Sequence, residues 1–194
     1  MLIRKPSKAK QASIMAMTAA IYSIFFFLSW SVTLPGFTLL YLPIILLGVF
    51  PLWFGWSGLV GSMVGGFIGG AFVEGLGFLG VFEAVVALLI YMLNWILIPR
   101  RAEDAKGKSL FTLLGVYALS LFAGTSYILW QYTILPQLFT TAEAVPILAT
   151  TYALNLPIVI IACPALIRAI SPKLRTWGIY SGSIWTWYKN RSNN

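Results

Sequence analysis

Residues 55–80 read GWSGLVGSMVGGFIGGAFVEGLGFLG, and their reading decides the fold. Ten of the chain's seventeen glycines fall in this stretch. Gly61, Gly65 and Gly69 recur at every fourth position, with Gly66 and Gly70 one step round. In water a helix loses roughly 1 kcal/mol for each interior glycine. In a bilayer the helix persists, because unpaired backbone is far more costly there. Small residues four apart then let a second helix approach closely. Gly61, Gly65 and Gly69 are therefore read as helix-packing positions. The stretch predicts a membrane-embedded helix that leads straight into two acids, Glu74 and Glu83.

The whole composition points the same way. Of 194 residues, 59% are hydrophobic and only 9% charged, with a mean hydropathy of +0.87. Soluble domains carry about 25% charged residues. The absence of histidine removes the commonest general base and metal ligand. The lone cysteine, Cys163, lies in an apolar run and excludes a disulfide framework. The net charge of +8 raises the question of nucleic acid. The basic residues sit beside apolar runs instead, which is a signature of membrane topology.

A spanning helix needs about 20 apolar residues. Working outward from the glycine-rich segment, Trp56–Val73, five more segments emerge. The first is Ala12–Val32, read as a retained helix although its basic start resembles a signal peptide. The second, Phe37–Phe50, is short and carries Pro43, so it is expected to be tilted, kinked or partly re-entrant. The fourth is Val81–Ile98, the fifth Leu110–Trp130 and the sixth Pro146–Ile167. The expected architecture is an all-α, polytopic bundle of six transmembrane helices over residues 12–168. A basic N-terminus covers residues 1–11, and a basic, aromatic tail covers residues 169–194.

Lys and Arg occur in only three places: four before the first segment, four within Arg100–Lys108, and five from Arg168 onward. With six spans all three share one face. The positive-inside bias makes that face, and both termini, cytoplasmic, with the chain in the cell membrane. The opposite face carries Glu74, Glu83 and Glu143 and no cation. Trp130, Gln131, Tyr132 and Tyr152 lie near it, and Asn155 lies within the sixth segment. For the aromatics an interfacial belt competes with a binding role. Glu74 has a simple alternative as a solvated loop acid. A polar group at membrane depth tends to face a cavity or the bundle interior, although Asn155 also suits helix–helix hydrogen bonding. Acids without a matching cation disfavour an anionic guest. They suit a small neutral or cationic heterocycle, with aromatic walls for stacking.

Enzyme signatures are missing. No histidine means no Ser-His-Asp triad and no H-E-x-x-H zinc site, and there is no phosphate-binding G-x-x-x-x-G-K-[ST] loop. Glu74 and Glu83, nine apart across a glycine-rich turn, hold no fixed geometry. No metal or cofactor is expected.

The first segment carries Ala12, Ala16 and Ala20 at every fourth position, one small-residue strip on a helix. With Gly36-Phe37-Thr38, Leu42-Pro43, the glycine-rich helix and Asn155-Leu156-Pro157, the chain resembles the substrate-binding (S) components of energy-coupling factor (ECF) transporters. The resemblance covers most of Ala12–Tyr180. It implies a six-helix, vitamin-capture protein with cytoplasmic termini and no ATPase activity of its own. Ala12, Ala16 and Ala20 would dock a transmembrane coupling subunit that works with two cytoplasmic ATPases. A small-molecule ligand would sit at the outer face, among Gly36–Leu40, Glu74–Glu83, Trp130–Glu143 and Tyr152–Asn155. Cobalt and nickel are disfavoured, since the family's metal-uptake members use an N-terminal histidine. No motif marks biotin, riboflavin or thiamine. Two other readings stand beside this one. A membrane sensory or anchoring domain shares the composition, but no signalling domain is present in the 194 residues. A structural subunit of a membrane complex would use both strips only for packing.

Overall fold

The computed structural model describes residues 7–30, 33–34, 37–38, 40–74, 78–99, 102–134 and 140–192. Apart from a two-residue antiparallel ladder, these residues build helices. The order is α1 (Lys8–Trp30), β1 (Thr33–Leu34), β2 (Phe37–Thr38), α2 (Ile44–Phe54), α3 (Trp56–Glu74), α4 (Phe78–Leu97), a 3-10 turn (Ala102–Asp104), α5 (Lys108–Ile134), α6 (Thr141–Thr176) and α7 (Ile184–Ser192). Three helices, α1, α5 and α6, are long and apolar enough to cross a membrane. The helices α3 and α4 contribute the shorter apolar stretches Trp56–Phe72 and Leu88–Leu97.

The glycine-rich helix α3 packs along α1, and the two run parallel. Gly61 faces Met15 and Thr18, Gly65 faces Ala19 and Tyr22, and Gly69 faces Phe26. A Cβ at Gly65 would lie 2.5 Å from the Ala19 carbonyl oxygen, so the two backbones meet with no room for a side chain. The approach lets Ser23 Oγ reach across: it lies 3.0 Å from the Gly65 carbonyl oxygen and 3.0 Å from that of Ala19. Among the described residues, α1 turns Ile14, Thr18, Tyr22 and Phe26 inward and leaves Ala12, Ala16 and Ala20 exposed.

The second segment differs most from a simple span. Its helix, α2, has only 11 residues, about 16 Å of rise, and starts at Ile44. Residues before it form the β1–β2 ladder, with Thr33 opposite Thr38 and Leu34 opposite Phe37. Pro51 lies inside α2. The turn comes at Gly55, whose φ of 57° suits glycine. Packed against α3, α4 and α6, α2 carries Val49 and Leu52 at the centre of the core.

The sixth helix is longer than its apolar run. It spans 36 residues with four prolines inside. Its start at Thr141 is set by a capping box: Thr140 Oγ1 accepts from the Glu143 amide, and Glu143 Oε2 accepts from the Thr140 amide at 2.8 Å. Residues 141–145, expected in a loop, are therefore helical.

The tail also departs from a peripheral segment. The last carbonyls of a helix lack partners within it. At the end of α2 the tail supplies them: the Ser181 and Gly182 amides donate to the Trp53 and Leu52 carbonyls at 2.9 Å each. Trp95 Nε1 donates to the Gly182 carbonyl at 2.8 Å, and Trp187 packs edge-on against Trp95. Two further bonds gather the basic segments. Lys10 Nζ donates to the Trp177 carbonyl at 3.2 Å, and Arg168 Nη2 donates to the Ala105 carbonyl at 2.9 Å. The start of α1, the α4–α5 connection and the end of α6 thus meet at one end of the bundle. There the Arg175 guanidinium lies 4.8 Å from the centre of the Tyr180 ring. Burial raises the Tyr180 phenol to about 12, with Arg175 acting in the opposite sense.

Candidate functional site

Backbone that is neither helical nor paired needs partners when it is buried. The chain entering α2 meets that need with side chains from two distant helices. The Tyr41 amide donates to Asn155 Oδ1 at 2.9 Å, and the Leu42 amide donates to Ser29 Oγ at 2.8 Å. Asn155 is fully buried, and its Nδ2 donates to the Thr151 carbonyl one turn earlier at 2.8 Å. Ser29 Oγ in turn donates to the Phe25 carbonyl at 2.8 Å. The Tyr41 hydroxyl shares a 2.5 Å hydrogen bond with the Tyr22 hydroxyl, and its ring packs edge-on against Phe26.

Polar character continues past Tyr22. The Tyr91 ring lies 6.1 Å from the Tyr22 ring and is fully buried. Ser62 and Tyr22 are polar neighbours of its hydroxyl, yet no contact there has hydrogen-bond geometry. Together, Tyr91, Tyr22, Tyr41, Asn155 and Thr151 form a line of polar groups through the bundle. It draws on α4, α1, the entry to α2 and α6. Side-chain oxygens of Tyr91, Asn94, Ser120 and Thr151 are buried without a hydrogen-bond partner. Such groups each cost about 1–3 kcal/mol in a protein interior.

The sequence-derived candidates distribute unevenly around this line. Asn155 is at its centre. Tyr152, three residues earlier, turns to α5: its hydroxyl donates to the Ala118 carbonyl at 3.3 Å and its ring packs edge-on against Phe122. Trp130 is exposed, with the Tyr127 ring tilted against it at 5.7 Å between centres, about 18 Å further along α5 than Ala118. Glu74 ends α3, Glu83 lies in the first two turns of α4, and Gln131 and Tyr132 lie in the last turn of α5. The side chains of these four are outside the described set, as are residues 75–77 and 135–139. Ala12, Ala16 and Ala20 lie on the opposite face of α1 from Tyr22. Among the described residues no cluster of three or more metal-ligating side chains occurs.

Sequence reasoning missed Tyr22, Ser29, Tyr41, Ser62 and Tyr91. A signal was present for two of them. Tyr22 and Ser29 lie seven apart on the same strip of α1 as Ile14, Thr18 and Phe26, a strip opposite the alanines. Comparison with known protein families, with curated proteins and with solved structures finds no match to this chain.

Proposed function

We propose that the chain is the membrane-embedded capture subunit of an ECF-type importer, binding a small neutral or cationic vitamin-like heterocycle at its outer face. The observation that carries this reading is the connected line of polar groups from Tyr91 to Thr151 inside the bundle. Polar groups at membrane depth tend to face the bundle interior or a cavity, which supports a ligand site along this line. Tyr22, Tyr41 and Asn155 offer stacking faces and neutral hydrogen-bonding groups, and no cation is among them. That chemistry suits a flat, polar, non-anionic guest.

Two further features support the reading. The alanine strip of α1 is exposed, while the opposite face of the same helix is packed against α3. A partner helix therefore has a smooth surface to approach, in keeping with docking to a coupling subunit and its two ATPases. The basic segments lie together at one end of the bundle. With six crossings that end, with both termini, is cytoplasmic by the positive-inside bias.

The test is to purify the protein in mild detergent and identify by mass spectrometry what dissociates from it. A stoichiometric water-soluble heterocycle is expected. No such molecule, together with no thermal shift across a panel of vitamins, would sink the proposal. Ala16→Trp tests the docking face. Ligand binding is expected to persist while uptake and capture of the coupling subunit are lost. Loss of folding instead would make the strip internal packing.

A further inference from the structure

Among the residues whose side chains are described, the segments that meet at the basic end carry Lys8, Lys10, Lys106, Lys108, Arg168, Lys173 and Arg175, all exposed, against one acid, Asp104. At one corner of that end α1 begins and α6 finishes. Lys10 and Lys173 are both exposed there, and the Trp177 ring, on the next turn after Lys173, is 64% exposed. The Lys10–Trp177 hydrogen bond runs to the main-chain carbonyl, so it leaves the indole free to meet something else. On α7, Trp187 turns inward against Trp95, Trp185 keeps 54% exposure although its Nε1 donates to the Ile96 carbonyl at 3.1 Å, and Tyr188, three residues on, is 70% exposed. Large aromatic rings with a polar edge, set among lysines, fit the boundary between headgroups and acyl chains. An anionic leaflet attracts such a surface, and neutral lipids do not.

We infer that this corner binds an anionic phospholipid: Lys10 and Lys173 hold the headgroup phosphate, the Trp177 ring lies on the glycerol region, and Trp185 and Tyr188 seat α7 in the same headgroup layer. The charge excess at this end commits the surface to a negatively charged lipid. The inference concerns the face away from the proposed ligand site and stands or falls without it.

The experiment reconstitutes the full chain in nanodiscs of mixed phosphatidylcholine and phosphatidylglycerol. Lipids that stay with the protein on release into the gas phase are counted by native mass spectrometry. Phosphatidylglycerol is expected to be enriched over its share of the disc. Removing each lysine, as Lys10→Gln and Lys173→Gln, is expected to lower its retention by about fivefold. Trp177→Ala keeps the main-chain carbonyl and is expected to weaken retention while leaving the Lys10 bond and the melting temperature in place. Equal retention of the two lipids overturns the inference, as does a double lysine variant that retains phosphatidylglycerol like the parent. Inorganic phosphate that displaces the lipid at millimolar levels would make this a free-anion site and overturn it too. So would variants that keep the lipid but lose capture of a partner protein.

Discussion

The two ends of the bundle are built differently. Along α6, only Thr151 is buried among the first fourteen residues, Thr141–Leu154, whereas seven of the remaining residues are buried. At the basic end the chain closes on itself. The tail satisfies the last carbonyls of α2, Trp95 and Trp187 pack together, and Arg168 and Lys10 tie in the neighbouring segments. At the opposite end the chain entering α2 is held by only a few side chains, chiefly Asn155, Ser29 and Tyr22. The lesson is that the tertiary hydrogen bonds to the main chain gather where the charges are.

Substitutions can break this contrast. The largest effect is expected at the α1–α3 seam. Gly65→Ala drives a methyl group into the main chain of α1, which cannot yield, and should cost more than about 3 kcal/mol. Gly69→Ala, nearer the outer end, meets the Phe26 ring at 2.7 Å, which can turn aside, and should cost visibly less. Equal losses in thermal unfolding in detergent would erase the contrast. Next comes Asn155→Leu, which removes the side-chain acceptor of the Tyr41 amide. A loss of about 2 kcal/mol is expected, together with loss of ligand retention. An unchanged melting temperature would show that the entry to α2 is not anchored there.

A smaller effect reports on the basic end. The Tyr180 phenol is neutral and buried in the fold, at about 12, while an unfolded tyrosine ionises from about 10. Its contribution is complete below pH 10 and is lost as the pH rises through about 12. By pH 11 that amounts to about 1.4 kcal/mol. Tyr180→Phe should flatten this part of the stability curve, and identical alkaline curves for the two proteins would refute the assignment. The smallest effect belongs to the start of α6. Thr140→Ala removes the capping box and should cost about 1 kcal/mol, seen as faster amide exchange over residues 141–145 with little change elsewhere.

Much of the helix pattern was legible because apolar runs and glycine spacing report directly on burial in lipid. Trp56–Val73 agrees with α3 to one residue, and Val81–Ile98 with α4 to three. The early start of α6 was readable in principle from Thr140 and Glu143, whose spacing is a capping box. The short α2 was harder to read. Its missing turns are replaced by bonds to Ser29 and Asn155, and long-range side-chain-to-backbone bonds leave no local pattern. The same holds for the tail, which looks peripheral by composition and is drawn inward by two carbonyls of α2. Asn155 stood out as a polar residue in an apolar run. Tyr22, Tyr41 and Tyr91 did not, because tyrosines in such a chain read as interfacial aromatics until their neighbours are known.

One bond sets an order of events during synthesis. Asn155 follows Tyr41 by 114 residues. When α1 and α2 first leave the ribosome, the side chain that accepts the Tyr41 amide has not been made. The Tyr41 amide, just before α2, therefore lacks this acceptor until the last long helix enters the bilayer. In this protein the second segment is early in the chain but among the last parts to reach its final hydrogen bonds.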